Sequence, residues 1–108
     1  MINTDRSDDM ADNISKVIED TEAVVEEVDA RYHAGTIDDK EDLHDARNDA
    51  YTARAKARRR QIQDGVEVTD NDVTEMRELR AGIERAADTQ AMIAAVGRVA
   101  GFVAQRFV

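Results

Sequence analysis

The stretch TDNDVTEMRELRAGIERAADTQAMIAAVGRVAGFVAQRFV, residues 69–108, decides how the chain is read. Val73, Met76, Leu79, Ile83, Ala86, Gln90, Ile93, Gly97, Ala100, Ala104 and Phe107 follow one another at steps of three or four. That spacing holds to one side of a 3.6-residue helix. With no proline to interrupt it, the stretch predicts one continuous helix roughly 58 Å long. Thr69 is its expected N-cap, with Asp72 three residues on and Val68 placed to meet Val73 as a hydrophobic staple. Gly82, Gly97 and Gly101 each cost about 1 kcal/mol against alanine in a helix interior. Packing should therefore supply a reason for them.

The helix changes character halfway. Residues 70–88 are charged and amphipathic, whereas residues 89–108 carry only Arg98 and Arg106. On a helical wheel, Ala94, Gly97, Gly101 and Ala104 form a small-residue seam, and Met92, Val96, Val99 and Val103 lie roughly opposite. Ile93, Ala100 and Phe107 bridge the two, Phe102 adds to the apolar surface, and Arg98, Gln105 and Arg106 stand on the remainder. About 200° of the circumference is apolar at 100° per residue. Such a helix calls for neighbours on two sides.

Upstream, two shorter helices are legible. Ile14, Ile18, Thr21, Val25, Val28 and Tyr32 form a heptad seam, widened by Met10, Val17 and Val24. Ser7 is its expected cap and Gly35 its left-handed stop, so the first helix spans about residues 7–34. Glu19, Asp20, Glu22, Glu26, Glu27 and Asp29 are placed on its outer face. Asp38 and Glu41 read as a capping box for a second helix over about 39–63, with Ile37 before it. Its seam is Leu43, Ala46, Ala50, Ala53 and Ala57, and Asp64-Gly65 closes it. A loop this short folds the second helix antiparallel onto the first.

The expected fold is all-α: a flexible N-terminus over 1–6, an acidic hairpin over 7–65, and a long third helix over 66–108. This is a three-helix, coiled-coil-like bundle. The third helix outruns its neighbours, so the apolar arm over 89–108 should project, with nothing in a single copy to cover it.

Composition narrows the function. Charged residues make up 36 % of the 108 and aromatics 4 %, which suits thin helix-on-helix packing. The absence of cysteine excludes a disulfide framework and thiolate chemistry. Residues 1–50 carry 16 acids and 5 bases, while residues 51–108 carry 8 acids and 10 bases. An acidic half joined to a mildly basic one suits self-association or a basic partner. Arg54, Lys56, Arg58, Arg59 and Arg60 are candidates for contact with a phosphate or an acidic partner. Being nearly consecutive, they spread around the helix, no aromatics interleave, and the net charge of −9 speaks against nucleic acid.

No catalytic constellation is visible. Ser7 and Ser15 are the only serines, and no phosphate loop or zinc spacing occurs. Glu41 and His44 have the E-x-x-H spacing of di-iron bundles, but such a site needs inward glutamates on facing helices. No metal and no cofactor is expected. The N-terminus lacks the apolar core of a signal peptide, and the expected location is the cytoplasm or a particle assembled there.

The expected function is structural and non-catalytic. The chain would form a homo-oligomer or dock into a larger complex through Met92, Ile93, Ala94, Val96, Gly97, Val99, Ala100, Gly101, Phe102, Val103, Ala104 and Phe107. A scaffold or plug in a bacterial or phage particle is the most concrete version, in line with other small, acidic, cysteine-free helical chains. The alternative is a peripheral membrane protein that lays residues 89–108 in a bilayer interface. Arg98 disfavours spanning, at about 2.5–3.5 kcal/mol on insertion scales.

Overall fold

A computed structural model of the chain describes residues 5–61 and 67–107. Among the described residues the fold is all-helical, with four helices where three are expected: α1 (Asp5–Ala34), α2 (Ile37–Gln61), α3 (Asp70–Arg85) and α4 (Thr89–Arg106). The continuous third helix is the expectation that fails. It breaks at residues 86–88 and returns as a hairpin.

The break has a chemical signature. Ala86 leaves the helix with φ −62° and ψ 117°, and its carbonyl accepts a hydrogen bond from the Arg31 guanidinium of α1. Asp88, extended at φ −138° and ψ 176°, then caps α4 by accepting from the Ala91 amide at 2.8 Å. Both new ends thus have partners for groups a helix terminus leaves unpaired. Folding back buries Met92, Val96, Val99, Phe102, Val103 and Phe107 to 6 % exposure or less. At about 1.5–3 kcal/mol for each such side chain, this outweighs a few interrupted backbone hydrogen bonds at about 1 kcal/mol each. No overhanging arm remains. Asp88→Ala should cost about 1 kcal/mol in chemical denaturation, with Asp88→Asn near neutral, because asparagine caps as well as aspartate.

Side-chain ties give the helix directions. Asn13 of α1 donates to the Val68 carbonyl at 2.9 Å and to Asp70 Oδ1 at 3.1 Å. Asp20 pairs with Arg80 at 2.9 Å. With Arg31 on Ala86, these contacts climb α1 and α3 together, so the two run parallel. Thr89 Oγ1 donates to Asp39 Oδ1 at 3.2 Å, which starts α2 and α4 side by side. Arg106 reaches Asp72 at 2.7 Å, which ties the end of α4 to the start of α3. Around the bundle the order is α1, α2, α4, α3, with both hairpin turns at one end. The molecule measures 57 × 23 × 19 Å.

The first hairpin matches its sequence pattern closely. Ile14, Val17, Ile18, Thr21, Val24, Val25 and Val28 are buried on α1, and Leu43, Ala46, Ala50, Ala53 and Ala57 on α2. Its turn differs. The capping box is Thr36 and Asp39, whose reciprocal bonds are both 3.1 Å, two residues ahead of Asp38 and Glu41. Ile37 therefore sits in the first turn and is 83 % exposed. Gly35 is not left-handed. It is needed because a Cβ there would lie 2.7 Å from Asp39 Cβ. At the other end α1 begins at Asp5, so Ser7 is helical and not a cap. Met1 to Thr4 and the Asp64-Gly65 stop lie outside the described residues. The Thr69–Asp72 capping box forms as expected, with both bonds at 3.1 Å.

Asp20 was expected outside and is 3 % exposed. It pairs with Arg80 on α3, while its other oxygen is buried without a donor. A second tie locks the first hairpin. Asp29 accepts from Arg47 Nε at 2.7 Å and from the Tyr51 hydroxyl at 2.8 and 2.7 Å, and the Arg47 guanidinium lies 4.5 Å from the Tyr32 ring centre. Burial pushes the Asp29 carboxyl up, but the bonds from Arg47 and Tyr51 and the Arg47 charge hold it below the usual range.

Candidate functional site

The two seams read on the C-terminal helix face opposite ways. Met92, Val96, Val99 and Val103 are 0 % exposed, and Phe102 and Phe107 nearly so. These six belong to the chain's own core. Their rings meet edge-on, the centroids of Phe102 and Phe107 being 6.1 Å apart. Ala94, Gly97 and Gly101 of the small seam are exposed, and Ile93, Ala100 and Ala104 are half-buried at its edge. Of the expected interface, one half is spent inside the bundle and the other half faces solvent.

The outward half is chemically unusual for this chain. In a protein of 36 % charged residues, the α4 stripe from Ile93 to Ala104 shows one charge, Arg98 at its margin. A Cβ added at Gly82, Gly97 or Gly101 would meet nothing within 4 Å. Single-copy packing thus supplies no reason for three helical glycines.

Beside the stripe, α3 and α4 leave a shallow groove of about 230 Å³. Leu79, Gly82 and Ala95 line it, together with Glu75, Glu78, Arg85 and Arg98. On the other flank, α2 carries a row at three-four spacing: Asp42, Asp45, Asp49, Thr52, Lys56 and Arg59. Arg47, Tyr51 and Arg58 bond α1 residues and so mark the α1 edge of α2. At 100° per residue the charged row falls on the opposite edge, beside α4.

The basic cluster does not gather into one site. Arg58 pairs with Glu22 at 2.7 Å, the Arg54 guanidinium lies 5.1 Å from the Tyr51 ring centre, Lys56 and Arg60 are half-buried, and Arg59 is exposed. Glu41 and His44 are both exposed at the start of α2, and among the described residues no group of three or more His, Cys, Asp or Glu side chains is placed to hold a metal ion. No helix among the described residues is long and apolar enough to cross a membrane.

The Asp29–Arg47–Tyr51 tie escapes sequence reading because its members lie on two helices whose register the sequence does not state. Asp88 did carry a signal. It is a capping residue placed directly before an uncharged periodic run.

Compared with protein-family models, with curated proteins and with solved structures, the chain matches none.

Proposed function

We propose that the protein is a non-catalytic helical assembly element that works by docking its α4 face against protein. The observation that carries this reading is the solvent-facing run of Ala94, Gly97 and Gly101, where open space surrounds each glycine. A helix surface without side chains lets another backbone come close, and two helices packed this way reach the short end of the 8–10 Å interaxial range. Membership of a larger particle fits such an element. The arm in this reading is a face of a closed bundle, not a projecting tail.

The test uses a photo-crosslinking residue at Ala94 in the full chain, in its native cell, with Arg77 as an exposed control on α3. Protein adducts are expected at 94 and not at 77, and Gly97→Leu with Gly101→Leu should remove them. Equal labelling at both positions would sink the reading. Flotation with anionic vesicles that is unaffected by the double leucine variant, with no protein adduct at 94, would put the lipid alternative in its place.

A further inference from the structure

We propose that the partner on this face is a second copy of the chain. The inference rests on the docking reading above and adds the identity of the occupant. Three rows run along one broad side of the bundle. The middle row is the nearly uncharged α4 stripe, and the flanking rows carry charge in a definite order.

At the end bearing the hairpin turns, the α2 flank is acidic, with Asp42, Asp45 and Asp49, and the opposite flank is basic, with Arg85 and Arg98. Toward the other end the signs exchange. The α2 flank becomes basic, with Lys56 and Arg59, and the α3 flank becomes acidic, with Glu78 near the middle of the bundle and Glu75 beyond it. Heights along the bundle follow from Thr89 beside Asp39 and Arg106 beside Asp72. Internal pairing consumes little of this charge. Asp45 lies 3.5 Å from the His44 ring and Glu75 lies 3.9 Å from Arg106. The other seven form no ion pair among the described residues.

A four-cornered pattern of this kind is complementary to itself. A two-fold axis along α4 sets each α2 flank against the partner's α3 flank at equal height, acid on base at both ends. A two-fold axis across α4 sets the acidic half of each α2 against the basic half of the other. Closed two-fold pairs use one surface twice, and complementary potentials of this sort select the partner and fix its register. The bare stripe between the flanks lets the two α4 backbones approach, and gives a reason for Gly97 and Gly101 that a single copy lacks. An unrelated protein would need to match all four corners, whereas a copy matches them by symmetry.

Sedimentation equilibrium on the full chain tests the idea. A concentration-dependent dimer that weakens with salt is expected. Gly97→Leu with Gly101→Leu should give a monomer with unchanged helical circular dichroism. The triple change Asp42→Lys, Asp45→Lys, Asp49→Lys should also give a monomer. Mixing that triple variant with Lys56→Glu, Arg59→Glu should restore a mixed dimer if the copies are antiparallel, and mixing it with Arg85→Glu, Arg98→Glu should do so if they are parallel. A wild-type chain that stays single-copy at hundreds of micromolar overturns the proposal. So does a dimer that survives the leucine or lysine substitutions, or a triple variant that neither mixture rescues. A single-copy chain that still crosslinks to another protein through position 94 would remove the second copy alone. Loss of every crosslink there would remove the docking reading with it.

Discussion

Val99→Asp should abolish cooperative folding, while Gly97→Asp, two residues away on the same helix, should leave the melting curve nearly unchanged at a dilution where the parent is single-copy. Val99 is 0 % exposed in the core shared with the other helices. A carboxylate there finds no paired base, and the cost is several kcal/mol whether it stays charged or takes up a proton. A domain of this size has about 5–15 kcal/mol in total, so most of its stability would be lost. Gly97 is exposed with nothing within 4 Å of a new Cβ, and aspartate is no worse than glycine inside a helix. Far-UV circular dichroism and thermal melts of the two variants separate a folded-back α4 from a projecting one. If the arm projected, both variants would melt like the parent. For the same reason, deletion of residues 95–108 cannot test assembly by itself. It removes Val96, Val99, Phe102, Val103 and Phe107 from the core, and the remainder should unfold.

The contrast between these positions also marks how far the sequence could be read. Period and turn residues together place the two helices of the first hairpin, because the α1 and α2 seams each face one way, although the caps read for it, Ser7 and Asp38 with Glu41, are not the ones it uses. They fail at residues 86–88. Ala86, Gln90 and Ile93 continue the three-four spacing across the break, so periodicity alone sees no interruption. Periodicity records which side of a helix is apolar, and it is blind to a turn that happens to preserve the phase. What decides the matter is area. A single long helix would leave the most apolar twenty residues wet, and two half-length helices bury them. Polarity changes at Asp88-Thr89, both residues able to cap, so composition and capping coincide where periodicity is silent.

The two seams of α4 were legible for a related reason. A helix apolar on about 200° of its surface needs neighbours on two sides. The structure supplies one side with large residues inward and leaves the small ones out. Which seam goes inward follows from volume. Met92, Val96, Val99 and Val103 fill space against the alanine seam of α2, where Ala94, Gly97 and Gly101 would leave cavities. The alanines at 46, 50, 53 and 57 and the larger α4 residues belong to one buried core. Buried Asp20 was not legible, since its partner Arg80 comes from a helix whose position follows only once the fold-back is known.

Replacing Gly82, Gly97 and Gly101 together by alanine should move stability and assembly in opposite directions. All three lie inside helices, and none has an atom within 4 Å of the new Cβ. Each substitution removes backbone freedom from the unfolded chain and gains helix propensity, about 0.4–1 kcal/mol apiece. The triple variant should thus gain about 1–3 kcal/mol. At about 4–8 °C per kcal/mol for a domain near this size, Tm should rise by roughly 5–20 °C. Three methyl groups on the outward side of α3 and α4 would at the same time hold an approaching backbone off, so association through this face should weaken. With parent and variant both melted at a dilution where the parent is single-copy, a lower Tm would mean the glycines serve the single chain in a way their open surroundings do not show. A higher Tm with undiminished association would mean that the face is not closely covered, and the small residues would lose their explanation. Stability gained where contact is lost is the result that assigns these glycines to an interface, since a gain in stability alone is common for Gly→Ala at open helical sites and only the loss of contact bears on the face.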